Sequence, residues 1–396
     1  MSIQANAKHQ DPKVVFYNDP KIRSLFFQCF LLIAFLALFY FAYDNTVANL
    51  KKRNIAQGFA FWNVEAGFDI SQTLIPYSAA SSYGRAFWVG LLNTLLVSGL
   101  SIFFATIIGV VIGVLRLSKN WVVSRLAALY IEVFRNVPLL LVLYFWYGAV
   151  LSNLPEPRDS IAIPGDIWLN SRGLLVPRPV MLDQFWVVSL SVLLAVLAGI
   201  AVHRHARRKQ AETGERLPAG WISTLLIVGV PLAVYFAVGQ PLGLDLPVKG
   251  RFNINGGLNL APELVAMVVG LSTYTAAFIA EAVRAGVVAV SKGQTEAAHS
   301  LGLTDGQTLR LVVMPQALRV IVPPLNSEFL SLTKNSSLGV SIGYPDLVNV
   351  FTGTVLNQTG QAVEMVSVTM LVYLTFSLLT SAFMNWFNTR VALVER

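Results

Sequence analysis

Apolar and polar residues follow one another along this chain in long blocks. They do not show the short period of a soluble amphipathic helix or strand. Eight blocks are predominantly apolar, near residues 25–43, 88–115, 124–149, 184–202, 221–238, 262–288, 318–342 and 364–386. An α-helix rises about 1.5 Å per residue, so each block is long enough to cross about 30 Å of hydrocarbon. The predicted fold class is all-α: a polytopic membrane protein with about eight transmembrane helices and a polar loop near residue 300. The apolar run at 25–43 follows a polar, basic start and is long enough to span, so it reads as an anchored helix rather than a cleaved signal.

Composition agrees. The 396 residues are 55% hydrophobic and 13% charged, against about 25% charged in an ordinary soluble domain. The net charge of +8 does not describe a nucleic-acid surface, because the basic residues sit at the ends of apolar blocks, where the positive-inside rule places them. With the amino terminus in the cytoplasm, 18 lysines and arginines fall on the cytoplasmic side and 9 on the other, with Arg135 and Lys334 inside spans. This bias predicts that both termini are cytoplasmic. Residues 44–85 and 151–183, mixed in charge and carrying Pro, Gly, Asn and Trp, then become ordered extracytoplasmic loops. Residues 203–220 become a charged cytoplasmic hairpin that anchors the orientation. Cys29 is the one cysteine, which excludes an internal disulfide. His203 and His205 stand among arginines and read as a solvated basic loop, not a metal site. No cofactor is expected.

One polar block differs from the rest. Residues 291–315 lie between two apolar blocks, in the cytoplasm by the charge count. Ser291 to Leu301 favours a short helix with Ala297, Ala298 and Leu301 on one side, and Gly302 is suited to end it in a left-handed conformation. Thr304-Asp305-Gly306-Gln307 matches a capping box that starts a second helix, and Pro315 marks entry toward the next span. Two short helices bent about a glycine make a knob able to enter a groove on a soluble partner. Glu296 would pair with a basic group there, and the small Ala297 and Ala298 would let the partner backbone approach. Nowhere does the chain carry the Gly-x-x-x-x-Gly-Lys-Ser/Thr loop that cradles nucleotide phosphates.

The combination Gln294-Thr295-Glu296-Ala297-Ala298, then Gly302, then Pro315 resembles the coupling loop of ABC-importer permeases. Four further blocks resemble the permeases of polar-amino-acid ABC importers. They are Gly90-Leu-Leu-Asn93-Thr94-Leu95, Tyr130-Ile-Glu132-Val-Phe-Arg135-Asn136-Val137-Pro138, Tyr274 through Glu281 and Arg284 to Gly286, and Asn326-Ser-Glu328 through Lys334-Asn335-Ser336. The family often carries an acidic residue where Asn335 stands. These blocks divide the chain into an N-terminal segment with the first span (1–85), a first core part (86–150), an insertion with two spans (151–260) and a second core part (261–396). This enlarged form most resembles the general L-amino-acid permeases of Gram-negative bacteria, the Aap/Bzt type. The resemblance implies a non-enzymatic permease subunit in the bacterial inner membrane. Its implied partners are an ABC ATPase dimer, a second permease chain (hetero- or homodimeric, the hetero form favoured), a periplasmic amino-acid-binding protein and an L-amino-acid substrate.

Glu132, Arg135, Glu281, Arg284, Glu328 and Lys334 fall in or beside predicted spans. A charge at the bilayer centre costs at least about 2.5–3.5 kcal/mol, so such groups face protein or a wet path. Glu281 and Arg284, like Glu132 and Arg135, are three apart and share a helix face, which suits either structural ion pairs or contact with a substrate ammonium and carboxylate. Asn326, Lys334 and Ser336 belong to a stretch too polar for a lipid-facing helix, and Pro323-Pro324 is expected to break the helix just before it. Two other readings remain at this point. In an ion-coupled secondary amino-acid transporter the buried charges would relay a proton or sodium. A membrane scaffold would carry nothing.

Overall fold

The computed structural model describes residues 20–52, 56–215, 217–250 and 253–391. Lys8, Lys13, Arg53, Arg216, Arg251 and Arg396, which enter the charge count above, lie outside the described residues. Among the described residues, seven helices are long and apolar enough to cross a membrane, and a bent pair makes an eighth.

The helices are α1 (Pro20–Lys52), α2 (Tyr83–Arg116), α3 (Trp121–Asn136), α4 (Leu139–Tyr144), α5 (Phe185–Thr213), α6 (Ala219–Thr224), α7 (Val230–Ala237), α8 (Pro262–Val288), α9 (Lys292–Ser300), α10 (Asp305–Thr308), α11 (Met314–Asn335), α12 (Leu356–Thr359) and α13 (Ala362–Val391). The core is the α2–α8 pair, flanked by α3, α11 and α13. Lipid tails give no hydrophobic drive between helices, so close backbone approach matters most. Gly109 and Gly113, four apart on α2, supply it. A Cβ on Gly109 would lie 2.6 Å from Ile279 Cβ, and one on Gly113 would lie 2.8 Å from the Ala280 carbonyl. By contrast α1 has no residue of its apolar window buried, whereas α8 has 61%.

The sequence placed α8 at its observed limits and the other spans near theirs, with three differences. The block at 124–149 is not one straight helix. Its two halves meet at 109°, because Pro138 forces Val137 into the extended region (φ −94°, ψ 131°). The expected break at Pro323-Pro324 is absent: both prolines lie inside α11. Each removes one backbone N–H and crowds the carbonyl four residues back, yet packing of α11 against α8 and α13 keeps the helix continuous. The charged segment after 202 is not a hairpin from its start. Helix α5 runs on to Thr213 and ends at Gly214, which is left-handed at φ 76°.

Residues 151–260 also hold strands that the sequence did not signal: β1 (Ile161–Ile163), β2 (Ile167–Asn170), β3 (Gly173–Val176), β4 (Arg178–Met181), β5 (Leu242–Asp245), β6 (Val248–Lys249), β7 (Ile254–Asn255) and β8 (Leu258–Leu260). They form an antiparallel sheet in the order β1-β2-β3-β8 and two two-stranded pairs, β4-β5 and β6-β7. The segments before and after the α5–α7 hairpin thus pair with each other. They cap the end of the bundle where α8 begins.

Candidate functional site

At the opposite end lies the polar knob. Helix α9 ends in a Schellman motif: the N–H of Gly302, at φ 79°, donates to His299 O at 2.9 Å, and that of Leu303 donates to Ala298 O at 3.2 Å. His299 then bridges the bend, with Nδ1 3.1 Å from Leu303 O and Nε2 3.5 Å from Asp305 Oδ1. The capping box is present. Thr304 N donates to Gln307 Oε1 at 3.0 Å, and Gln307 N donates to Thr304 Oγ1 at 3.4 Å. Gln294 accepts from Gln316 Nε2 at 3.3 Å, which ties α9 to the first turn of α11.

Two details depart from the sequence reading. Of the residues expected on one face, Ala298 alone turns inward, at 3% exposure, while Leu301 is 82% exposed and Glu296 and Ala297 face solvent. Ala298 therefore packs on its own chain and is not open to a partner backbone. Pro315 is the second residue of α11, but no break separates that helix from the knob. A π-turn, Leu309–Val313, joins α10 to α11 without a gap, so the second half of the knob is the end of a continuous rod, Asp305–Ile342.

Four of the six charged residues of the spans lie near one another. Arg284 grips Glu281 with both arms, Nε to Oε2 at 2.9 Å and Nη2 to Oε1 at 2.6 Å. Arg135 does not pair with Glu132. Its guanidinium lies 5.5 Å from the centre of the Phe278 ring, where the π face attracts a cation, and within electrostatic reach of both Glu281 and Glu328. Glu328 in turn lies within reach of Tyr274. Arg135, Glu281, Arg284 and Glu328, from α3, α8 and α11, thus share one neighbourhood, and Glu132 is exposed outside it. Asn326 has a buried Oδ1 with no hydrogen-bond partner. Lys334 is exposed. Ser336 is fully enclosed and its hydroxyl donates to Thr333 O at 2.7 Å, so it faces no open path here.

A second polar group was not anticipated. After α11 the chain winds through a 3₁₀ segment, Ser336–Ile342, and turns at Gly343. It then runs back beside α2 as the π-segment Val348–Val355 and α12. The turn is pinned to α2. Asn93 Nδ2 donates to Pro345 O and to Gln72 O, each at 2.9 Å. Tyr344 Oη donates to Asn93 O at 2.9 Å, and Leu347 N donates to Thr94 Oγ1 at 3.0 Å. Asp346 is fully buried and accepts from Asn349 N at 2.8 Å and from Tyr373 Oη at 3.3 Å. The sequence offered one signal for it, an acidic residue in Gly343-Tyr344-Pro345-Asp346 between two apolar blocks.

A broken helical bundle with a glycine-bent polar knob and no nucleotide-binding loop defines the membrane component of a transporter. The chain belongs to the family of binding-protein-dependent transport system inner membrane components, whose model matches residues 105–393. It is 50% identical to the general L-amino acid transport system permease protein AapQ of Rhizobium johnstonii, over 96% of this chain and 94% of that one. Identity to the putative amino-acid ABC transporter permease protein YhdX of Escherichia coli is 48%, over 96% and 97% of the two chains. Identity to the glutamate/glutamine/aspartate/asparagine transport system permease protein BztB of Rhodobacter capsulatus is 41%, over 96% of each. It is thus a multi-pass ABC-importer permease subunit, and ATP hydrolysis belongs to a separate subunit.

Proposed function

We propose that the chain carries L-amino acids across the bacterial inner membrane as one of two permease subunits, paired with a different chain. A periplasmic amino-acid-binding protein delivers the substrate, and an ABC ATPase dimer grips the knob that Gln294, Glu296, Ala297, Gly302 and Pro315 build, with Ala298 packed beneath its surface. Both termini lie in the cytoplasm. The observation that carries this reading is the knob itself: a short helix closed by its own hydrogen bonds, with Glu296, Ala297 and Leu301 turned to solvent. Its second half is continuous with α11, so a push on the knob moves a rod that reaches Glu328. The 48–50% identity to amino-acid permeases over nearly the whole chain supports the substrate class.

Of the residues first assigned to the path, Arg135, Glu281, Arg284, Glu328 and Asn326 are the better supported. The four charged residues bring both signs to one neighbourhood, which suits an ammonium and a carboxylate, and Asn326 adds a buried amide oxygen without a partner on the same helix as Glu328. Glu132, Lys334 and Ser336 stand apart from that group. The test is Leu301→Asp in the reconstituted transporter. It is expected to leave the permease assembled in the membrane and to abolish binding-protein-stimulated ATP hydrolysis. Wild-type stimulation would remove the knob from the coupling route. Cysteines placed at positions 165 and 212 test the topology: impermeant reagent should reach the first from the periplasm and the second from the cytoplasm.

A further inference from the structure

Helix α5 packs chiefly on α6 and α7. Between α5, α6 and the last turns of α13 runs a groove of about 710 Å³. Its body is apolar, formed by Val196, Ile200, Ile227 and Trp386, and Arg204 and Arg207 stand at its mouth. Ser223 seals the floor. Its hydroxyl donates to Gly199 O at 3.3 Å and meets His203 Nδ1 at 3.2 Å. The hydrogen bonds near the groove are therefore used within the protein, and the two arginines are not. Both are exposed. Among the described residues neither has a carboxylate within salt-bridge distance, and the ion pair of this segment joins Lys209 to Glu215 at 2.7 Å.

The depth of these groups decides what they meet. Arg204 lies nineteen residues beyond Phe185 on α5, about 28 Å along the axis. If Phe185 enters the hydrocarbon, Arg204 leaves it at the opposite interface. Tryptophans mark the same level, as aromatic belts do: Trp221 on α6 is 82% exposed, and Trp386 lines the groove. The site therefore has an apolar slot inside the bilayer and two unpaired guanidinium groups at the headgroup plane. A lone carboxylate from another protein would neutralise the mouth and leave the slot empty. A free phosphate would do the same.

We propose that this groove binds one anionic phospholipid of the leaflet on the coupling-knob side. Its phosphate sits between Arg204 and Arg207, and its acyl chains lie along Val196, Ile200 and Ile227 against Trp386. The site fixes the inserted helical hairpin to α13 through a lipid. It depends on the chain spanning a membrane and not on what the transporter carries, so the proposed function and this site fail or stand separately.

Native mass spectrometry of the intact complex, titrated with phosphatidylglycerol, phosphatidylcholine or inorganic phosphate, tests it. The wild type should retain phosphatidylglycerol in preference to phosphatidylcholine. The double variant Arg204→Gln/Arg207→Gln should bind phosphatidylglycerol about tenfold or more weakly, at roughly 1 kcal/mol per basic residue near the surface. Arg208→Gln, outside the groove lining, should bind as wild type. Ile200→Trp, which fills the slot and keeps both charges, should also lose the lipid, and it decides the matter alone if the double variant fails to assemble. Equal retention of the two lipids, full binding by Ile200→Trp, or displacement of the lipid by phosphate alone would overturn the proposal. So would loss of the second permease chain from the double variant with lipid binding unchanged, which would make the groove a protein interface.

Discussion

The turn at Leu301–Thr304 and the turn at Gly343–Leu347 both lie between membrane spans and both contain a left-handed glycine cap, yet their bonds differ in reach. The first is closed by partners three to five residues away: Leu303 to Ala298, Gly302 to His299, Gln307 to Thr304. The second has the same local closure, Tyr344 N to Gly339 O at 3.0 Å and Gly343 N to Val340 O at 3.3 Å, and is held in addition by Asn93 and Thr94, some 250 residues away along the chain. A locally closed turn keeps its shape while its surroundings move, as a part pushed by another subunit must. A turn that is also pinned remotely keeps its place only while its neighbours stay put, and so it reports on the packing of the bundle. Exposure follows the same division: Leu301 is 82% exposed, while Tyr344, Asp346 and Leu347 are fully buried.

The contrast is broken most severely at Asn93. Asn93→Leu removes the donor to Pro345 O and Gln72 O and leaves buried polar atoms unpaired. A loss of about 2–5 kcal/mol is expected, measured as a lower thermal midpoint of the purified complex. Tyr344→Phe, which removes a single donor to Asn93 O, should cost about 1–2 kcal/mol in the same assay. If both variants unfold at the wild-type temperature, the turn is not held by these bonds.

Gly302→Val comes next. A β-branched residue at φ 79° costs roughly 1–2 kcal/mol. The strain is that of Cβ against its own backbone, since no atom from elsewhere in the protein lies within 4 Å of the Cβ position. The strain should fray α9 alone. Hydrogen exchange is expected to quicken over residues 292–303 and to stay unchanged over 343–349. Matching changes in both segments would show that the two turns are coupled and that the contrast is false. Thr304→Ala should act in the same place and more weakly, by about 1 kcal/mol, through loss of the capping box.

The difference in reach also explains what the sequence disclosed. Gly302 and the Thr304–Gln307 box are readable because helix caps depend on neighbours in the chain. The limits of α8 are readable because its hydrophobicity ends abruptly, at Pro262 and near Val288. The bend at Val137-Pro138 is written locally but hidden, because the apolar run continues through it. Pro323-Pro324 misleads in the other direction: the local rule predicts a break, and packing against α8 and α13 overrides it. Ala297 and Ala298 cannot be told apart in sequence, since which of two adjacent small residues faces inward depends on where α9 rests. Asp346 has no readable role because its environment is made by α2 and α13. The Glu281–Arg284 pair is legible from its spacing, but the same spacing at Glu132 and Arg135 misleads: Phe278, on another helix, draws Arg135 away.

The smallest effect on the fold is expected at Glu296, and it sharpens the comparison most. Glu296 is exposed and its side chain takes part in no ion pair among the described residues; its backbone carbonyl accepts from Ser300 Oγ at 2.9 Å, a bond that any residue keeps. Exposed charges far from a partner contribute little to stability, so Glu296→Lys should leave the thermal midpoint within about 0.5 kcal/mol of wild type. On the proposed coupling role the knob still loses its docking charge, and reversal places a lysine before the basic group that the carboxylate would meet. Binding-protein-stimulated ATP hydrolysis should therefore fall steeply, in a protein that is otherwise wild type by hydrogen exchange at both turns. High salt should restore part of it, because it screens the new repulsion between exposed charges. A fall in stability with coupling intact would reverse the assignment and make Glu296 part of the fold rather than of the contact.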